Sequence, residues 1–151
     1  MSRTLDVALS QLGIHEATGH NDGIPAERYM RGDELAWCSG FLLWCNDNSD
    51  DPKIAAVDKD YYRCRSVRQF IDVMREKGRF WPAGSRGPQA NDVIFFGHTA
   101  SDVGVVGSHV GIVEKIEGGR IHTVEGNTSN KVARRSYPLG DKTILGYASI
   151  G

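Results

Sequence analysis

The sequence predicts an α+β fold, with N-terminal helices packed on a C-terminal antiparallel sheet. Two observations carry this. Apolar residues recur at helical spacing before Gly78, and short β-branched runs separated by Gly or Asn follow it. The junction EGGR, from Glu117 to Arg120, then joins two of those runs as a tight hairpin turn. Helices first and strands afterwards place the helices on one face of a small sheet.

The elements follow in order. Leu5, Leu9 and Leu12 predict a helix over 4–12, with Thr4 as its cap and Gly13 just past its end. A polar, Gly-rich connection follows, with a short helix around 26–32. The stretch DELAWCSGFLLWC leads into a buried helix from about Trp37 to Asn46, which NDNSDDP breaks. A polar segment passes through Tyr61 and Tyr62. In SVRQFIDVMREKG, Val67, Phe70, Ile71 and Met74 share a face, Ser66 caps the helix and Gly78 ends it. RFWPAGSRGPQAND reads as a loop. DVIFFG, SHVGIVEKIEG, GRIHTVEGN and TILGYASI read as strands.

The 151 residues, 40% apolar and 25% charged, suit one soluble globular domain over 1–151. A net charge of −1 gives no field that would draw the chain to nucleic acid or to an acidic membrane. No stretch approaches 18 apolar residues. The N-terminus lacks the apolar run of a secretory signal, so the protein is expected to start in the cytoplasm. Three cysteines, Cys38, Cys45 and Cys64, match neither a zinc motif nor a disulfide framework. His15, His20, Asp22 and Asp33 lack the acidic ladder of a calcium loop, so no metal is expected.

Cys38 raises the chemical question, because it stands between Trp37 and two very small residues, Ser39 and Gly40. Core filling is the ordinary role of a cysteine among apolar neighbours. The alternative is a nucleophile. A thiol attacks as thiolate, and a helix N-terminus or an imidazolium favours that form. Cys45, two turns further on, reads as core. Cys64, between Arg63 and Arg65, reads as partly exposed.

Strand alternation selects a partner histidine. His109, Gly111 and Val113 fall on one face of their run, and Ile121, Thr123, Glu125 and Asn127 on one face of the next. His122 falls on the opposite face. Pairing across the EGGR turn brings His109 near Glu125 and Asn127. Either residue could hold the tautomer of an imidazole acting as general base.

These residues together resemble the CHAP family, the cysteine, histidine-dependent amidohydrolases and peptidases that cleave bacterial peptidoglycan on a papain-like fold. The resemblance rests on Trp-Cys followed by small residues in AWCSG, on the strand NDVIFFG, on SHVGIVEK some seventy residues after the cysteine, and on Glu-x-Asn in VEGNTSN. It implies Cys38 as nucleophile, His109 as base, Glu125 as third member and Asn127 as a further polar residue of the site. Trp37 and Ser108 are the expected substrate contacts. The family often carries proline before Trp-Cys. Here Ala36 stands there, which frees the helix to begin as early as Asp33 and would bury Cys38 in its second turn.

The function so implied is a peptidoglycan hydrolase of the phage endolysin kind. It would act as a monomer on the cell wall after release, without cofactor, nucleic acid or membrane insertion. It would cut a stem-peptide amide or the muramoyl–alanine link. An antibacterial effector amidase delivered between cells carries the same pattern. So does a cytoplasmic amidase with another substrate. A binding module that keeps the fold without the chemistry is opposed by the presence of all four polar positions.

Overall fold

The computed structural model describes residues 2–14, 29, 37–97, 109–128 and 131–150, with the backbone alone at 58, 127 and 128. Among these, the helices are α1 (Thr4–Ser10), α2 (Cys38–Asp47), α3 (Asp58–Cys64) and α4 (Val67–Glu76). The strands are β1 (Phe80–Pro82), β2 (Val93–Phe96), β3 (His109–Glu117), β4 (Arg120–Thr128), β5 (Lys131–Pro138) and β6 (Ile144–Ala148). The strands form one antiparallel sheet in the order β1-β6-β2-β3-β4-β5. The fold is the α+β arrangement expected. Among the described residues no helix is long and apolar enough to cross a membrane.

Alternation along the strands separates two apolar clusters. Val93, Phe95, Val110, Ile112, Val124 and Val132 pack with the helices, where Phe41, Leu42, Phe70 and Ile71 are fully buried. Each such side chain contributes about 1.5–3 kcal/mol by leaving water. Ile94, Phe96, Val113, Ile121, Ile144 and Tyr147 form a second cluster on the other face. The central strand β2 is therefore buried on both sides.

The β3–β4 hairpin turns through Gly118 (φ 62°) and Gly119 (φ 73°), and Glu117 pairs with Arg120. Two consecutive left-handed residues make the turn whose twist suits a two-residue hairpin, and glycine adopts that backbone without strain. The register then shifts between Val113 and Lys115. α4 starts and stops as expected, with Ser66 accepting a hydrogen bond from the Gln69 N–H and Gly78 (φ 70°) following its end.

Several expectations change. α1 is capped by Asp6, whose carboxylate accepts the Arg3 N–H at 2.8 Å. Thr4 is instead buried, its hydroxyl donating to Asp51 at 2.7 Å. The polar segment at Tyr61 is the helix α3, which buries Tyr61 and Cys64 on one side. Cys64 is thus fully buried rather than partly exposed, and desolvation pushes its thiol up to about 12. The loop after Gly78 contains β1, and β5 is a strand that the sequence pattern did not single out. The short helix around 26–32 falls mostly outside the described residues, as do His15, His20, Asp22 and Asp33.

Candidate active site

Cys38 opens α2 as its first residue, with Trp37 as a non-helical cap (φ −109°, ψ 17°) whose carbonyl accepts the Phe41 N–H at 2.8 Å. The helix does not reach back to Asp33. Cys38 therefore sits in the first turn, where backbone N–H groups are unpaired and the helix dipole favours negative charge. Among the described residues no side chain caps this end.

Two contacts fix α2 against the rest of the chain. Ser39 donates its hydroxyl to the Arg65 carbonyl at 2.7 Å, which ties the helix start to the α3–α4 junction. The strand then supplies a small residue of its own. A Cβ on Gly126 of β4 would stand 2.6 Å from Phe41 Cβ, closer than real Cβ atoms come. The first turn of the helix thus lies almost on the β4 backbone.

His109 is the first residue of β3 and shares the face of Val113, opposite to the face on which the helices pack. It stands at the sheet's end, where its ring comes near enough to the Cys38 side chain for the two to act on each other. Nε2 lies 2.7 Å from Glu125 Oε1. That leaves Nδ1 as the nitrogen for the thiol. The His109 ring lies beside Phe96, with centroids 5.9 Å apart.

Glu125 is 1% exposed, and a carboxylate so buried needs partners. His109 takes one oxygen. The other accepts hydrogen bonds from Thr123 Oγ1 and, at 2.7 Å, from Tyr137 Oη. Burial alone would raise this carboxyl; the His109 hydrogen bond and charge, with the Thr123 and Tyr137 hydroxyls, hold it below its ordinary value. Burial likewise works against a charge on His109. The hydrogen bonds to Cys38 and Glu125, and the attraction of their charges, outweigh it and lift the imidazole to about 9. At neutral pH the ring therefore carries its second proton, between two partners that stabilise it.

The structure thus brings Cys38, His109 and Glu125 together. Of the two residues open as orienter, Glu125 is bonded to His109. Asn127 lies two positions on in β4, with its side chain outside the described residues, and Ser108 is outside them altogether. Trp37, expected to touch substrate, is corrected to a core residue. Its ring is fully buried and stacks on Tyr29 with centroids 5.4 Å apart, because the chain turns inward just before α2. Trp81 is half-buried at the sheet edge, under the Arg86 guanidinium. Cys45 is core, and burial pushes its thiol far up. Thr123 and Tyr137 were not foreseen. Alternation had put Thr123 on the face of Glu125, but no sequence signal pointed to Tyr137.

Comparison with known proteins places this geometry. The CHAP domain model matches residues 30–127. No curated protein matches the sequence. Among solved structures, that of Ly7917 is 15% identical with a TM-score of 0.59, over 98% of this chain and 61% of the other. The structure of Ly7917 with the hydrolyzing product of MDP is 16% identical with a TM-score of 0.55, over 98% and 62%. The chain spans less than two thirds of either, and at these identities the likeness is one of fold. A family model that covers most of the chain, and carries the cysteine, the histidine and the glutamate within its bounds, settles the relationship: the chain belongs to the CHAP family.

Proposed function

We propose that this chain is a peptidoglycan hydrolase that cleaves an amide bond by cysteine nucleophilic catalysis. The observation that carries the reading is His109 held between Cys38, the first residue of α2, and the buried Glu125 carboxylate. A structural neighbour solved with the hydrolyzing product of MDP supports a substrate of that kind.

The steps follow from the geometry. Cys38 attacks the amide carbon as thiolate, its proton residing on His109 Nδ1. The carbon–sulfur bond forms as the carbonyl π pair moves onto oxygen, and the Cys38 backbone N–H at the helix start faces that charge. The oxyanion collapses, the carbon–nitrogen bond breaks, and His109 gives its proton to the leaving amine. Water, deprotonated by His109, then hydrolyses the thioester and returns the thiolate–imidazolium pair. Glu125 holds the ring throughout.

The muramoyl–alanine link and a stem-peptide bond are both amides that this arrangement can open, and a phage endolysin is the setting we favour. Mass analysis of muropeptides digested by the wild type and by Cys38→Ala tests the reading. We expect new termini at one amide class with the wild type and none with the variant. Equal products from both would remove the nucleophile. Turnover of soluble amides without wall cleavage would remove the substrate.

A further inference from the structure

We propose that Tyr137, with Thr123, is a positioning residue of this site: their two hydroxyls pin one oxygen of Glu125 so that the other holds the His109 ring in the orientation Cys38 requires. This rests on the catalytic reading above and extends it to a strand, β5, that carries no member of the Cys-His-Glu set.

A carboxylate bonded at one oxygen only can rotate about its last carbon–carbon bond. Its hold on an imidazole then loses direction. Glu125 does not have that freedom, since Oε2 accepts from Tyr137 Oη at 2.7 Å and from Thr123 Oγ1 while Oε1 meets His109 Nε2 at 2.7 Å. Three donors from three strands define the plane of the carboxylate. Tyr137 is itself held, because its ring packs on Phe96 with centroids 4.6 Å apart, and Phe96 lies against His109. The tyrosine also stays a donor. Burial, and then the charge of Glu125, push its hydroxyl well above the ordinary tyrosine range. Thr123 Oγ1 lies within reach of the Arg135 carbonyl as well, at 3.4 Å, but the carboxylate is the closer acceptor.

Among the described residues, the charged and titratable groups around Glu125 are His109 of β3, Cys38 of α2 beyond it, and Tyr137 of β5. The charges of Arg135 and Asp141 also act on the tyrosine. Among the described residues, His109, Thr123 and Tyr137 are the hydrogen-bond partners of the carboxylate, so removing one hydroxyl must be felt at the other oxygen.

The test uses the full chain and two readouts, one independent of turnover. Tyr137→Phe keeps the ring on Phe96 and removes only the hydroxyl; Thr123→Ser keeps the donor and serves as control. In Tyr137→Phe we expect the carboxyl carbon of Glu125, followed by 13C NMR, to titrate about one pH unit higher, since a donor to the charged form is gone. We also expect kcat on purified peptidoglycan to fall about tenfold, as for loss of a hydrogen bond to a charged group, with KM little changed. Thr123→Ser should retain both values and Thr123→Val should lose them. An unmoved Glu125 titration together with an unchanged kcat would make Tyr137 mere packing and overturn the proposal. If Cys38→Ala proves as active as the wild type, the catalytic reading fails by itself, and the NMR titration still decides whether Tyr137 holds Glu125.

Discussion

The side chain of Glu125 occupies the space that a side chain on Gly111 would need. A Cβ at Gly111 would stand 2.6 Å from Glu125 Cγ and 3.4 Å from the Val124 carbonyl oxygen. The glycine two residues after His109 is thus the opening through which the carboxylate reaches along the sheet to the imidazole. Gly111→Ala is therefore expected to swing Glu125 off Nε2. We expect kcat/KM to fall by about 10²-fold, with stability lowered by about 1–3 kcal/mol through overpacking. Kinetics beside a thermal melt check this; full activity in a folded variant would show that the contact does not orient the histidine.

Glu125→Gln tests the tautomer rather than the space. The amide oxygen can still accept from Thr123 and Tyr137, which turns the amide nitrogen toward His109 Nε2. That nitrogen donates, so Nε2 must accept and the ring proton moves to Nδ1, facing Cys38. A neutral ring protonated there cannot receive the thiol's proton. The loss in kcat is expected on the order of 10²–10⁴-fold, the scale on which a wrong tautomer acts in related triads. 15N shifts of the His109 ring would report the tautomer directly.

The pH dependence has a definite sign on each side. His109 is raised from 6.5 to about 9, so its contribution to folding is complete below 6.5 and disappears as pH rises through about 9. Activity should decline as pH passes about 9, because the neutral ring has no proton for the leaving amine. Glu125 is lowered from 4.5, so its contribution is present above 4.5 and is lost as pH falls through its depressed folded value. A bell-shaped kcat/KM profile with its alkaline limb near 9 is expected, reporting the Cys38–His109 pair as a unit. In Cys38→Ala the His109 titration, followed by NMR, should move to lower pH, since its first supporting hydrogen bond is gone. An unmoved titration would mean that the thiol does not face the ring.

Gly126 and Phe41 set the height of α2 over the sheet. Gly126→Ala would drive a methyl to within 2.6 Å of Phe41 Cβ and 2.7 Å of its Cγ, and that ring is fully buried in the core. The helix must then lift from β4, taking Cys38 with it. A stability loss of about 1–3 kcal/mol is expected, read by urea denaturation. The larger consequence is at the thiol. Alkylation of Cys38 by iodoacetamide at pH 7 should slow several-fold as the thiol leaves the imidazolium. Unchanged melting and alkylation would show that the helix does not rest on this glycine.

Much of this molecule was legible from the order of its residues, because local rules govern the parts that were read. The helical period of Val67, Phe70, Ile71 and Met74 gave α4, and the glycine pair after Glu117 gave the hairpin turn. Alternation placed His109 and Glu125 on one face of that hairpin, and the cysteine, the histidine and the glutamate came with the family resemblance. The strands that escaped notice are the two edges of the sheet. β1 contains Pro82, which an edge tolerates, and β5 carries Arg134 and Arg135 toward water, so neither shows the apolar alternation of an inner strand. Tyr137 stands on that hidden edge and was hidden with it. Tertiary contacts alone decided that α2 starts at Cys38, that Trp37 turns inward onto Tyr29, and that Glu125 meets the imidazole. The physical reason is the range of the interactions. Periodicity is set by neighbours a few residues away. The seat of a helix on a strand, and the second pair of donors to a buried carboxylate, depend on atoms that meet only when distant segments pack.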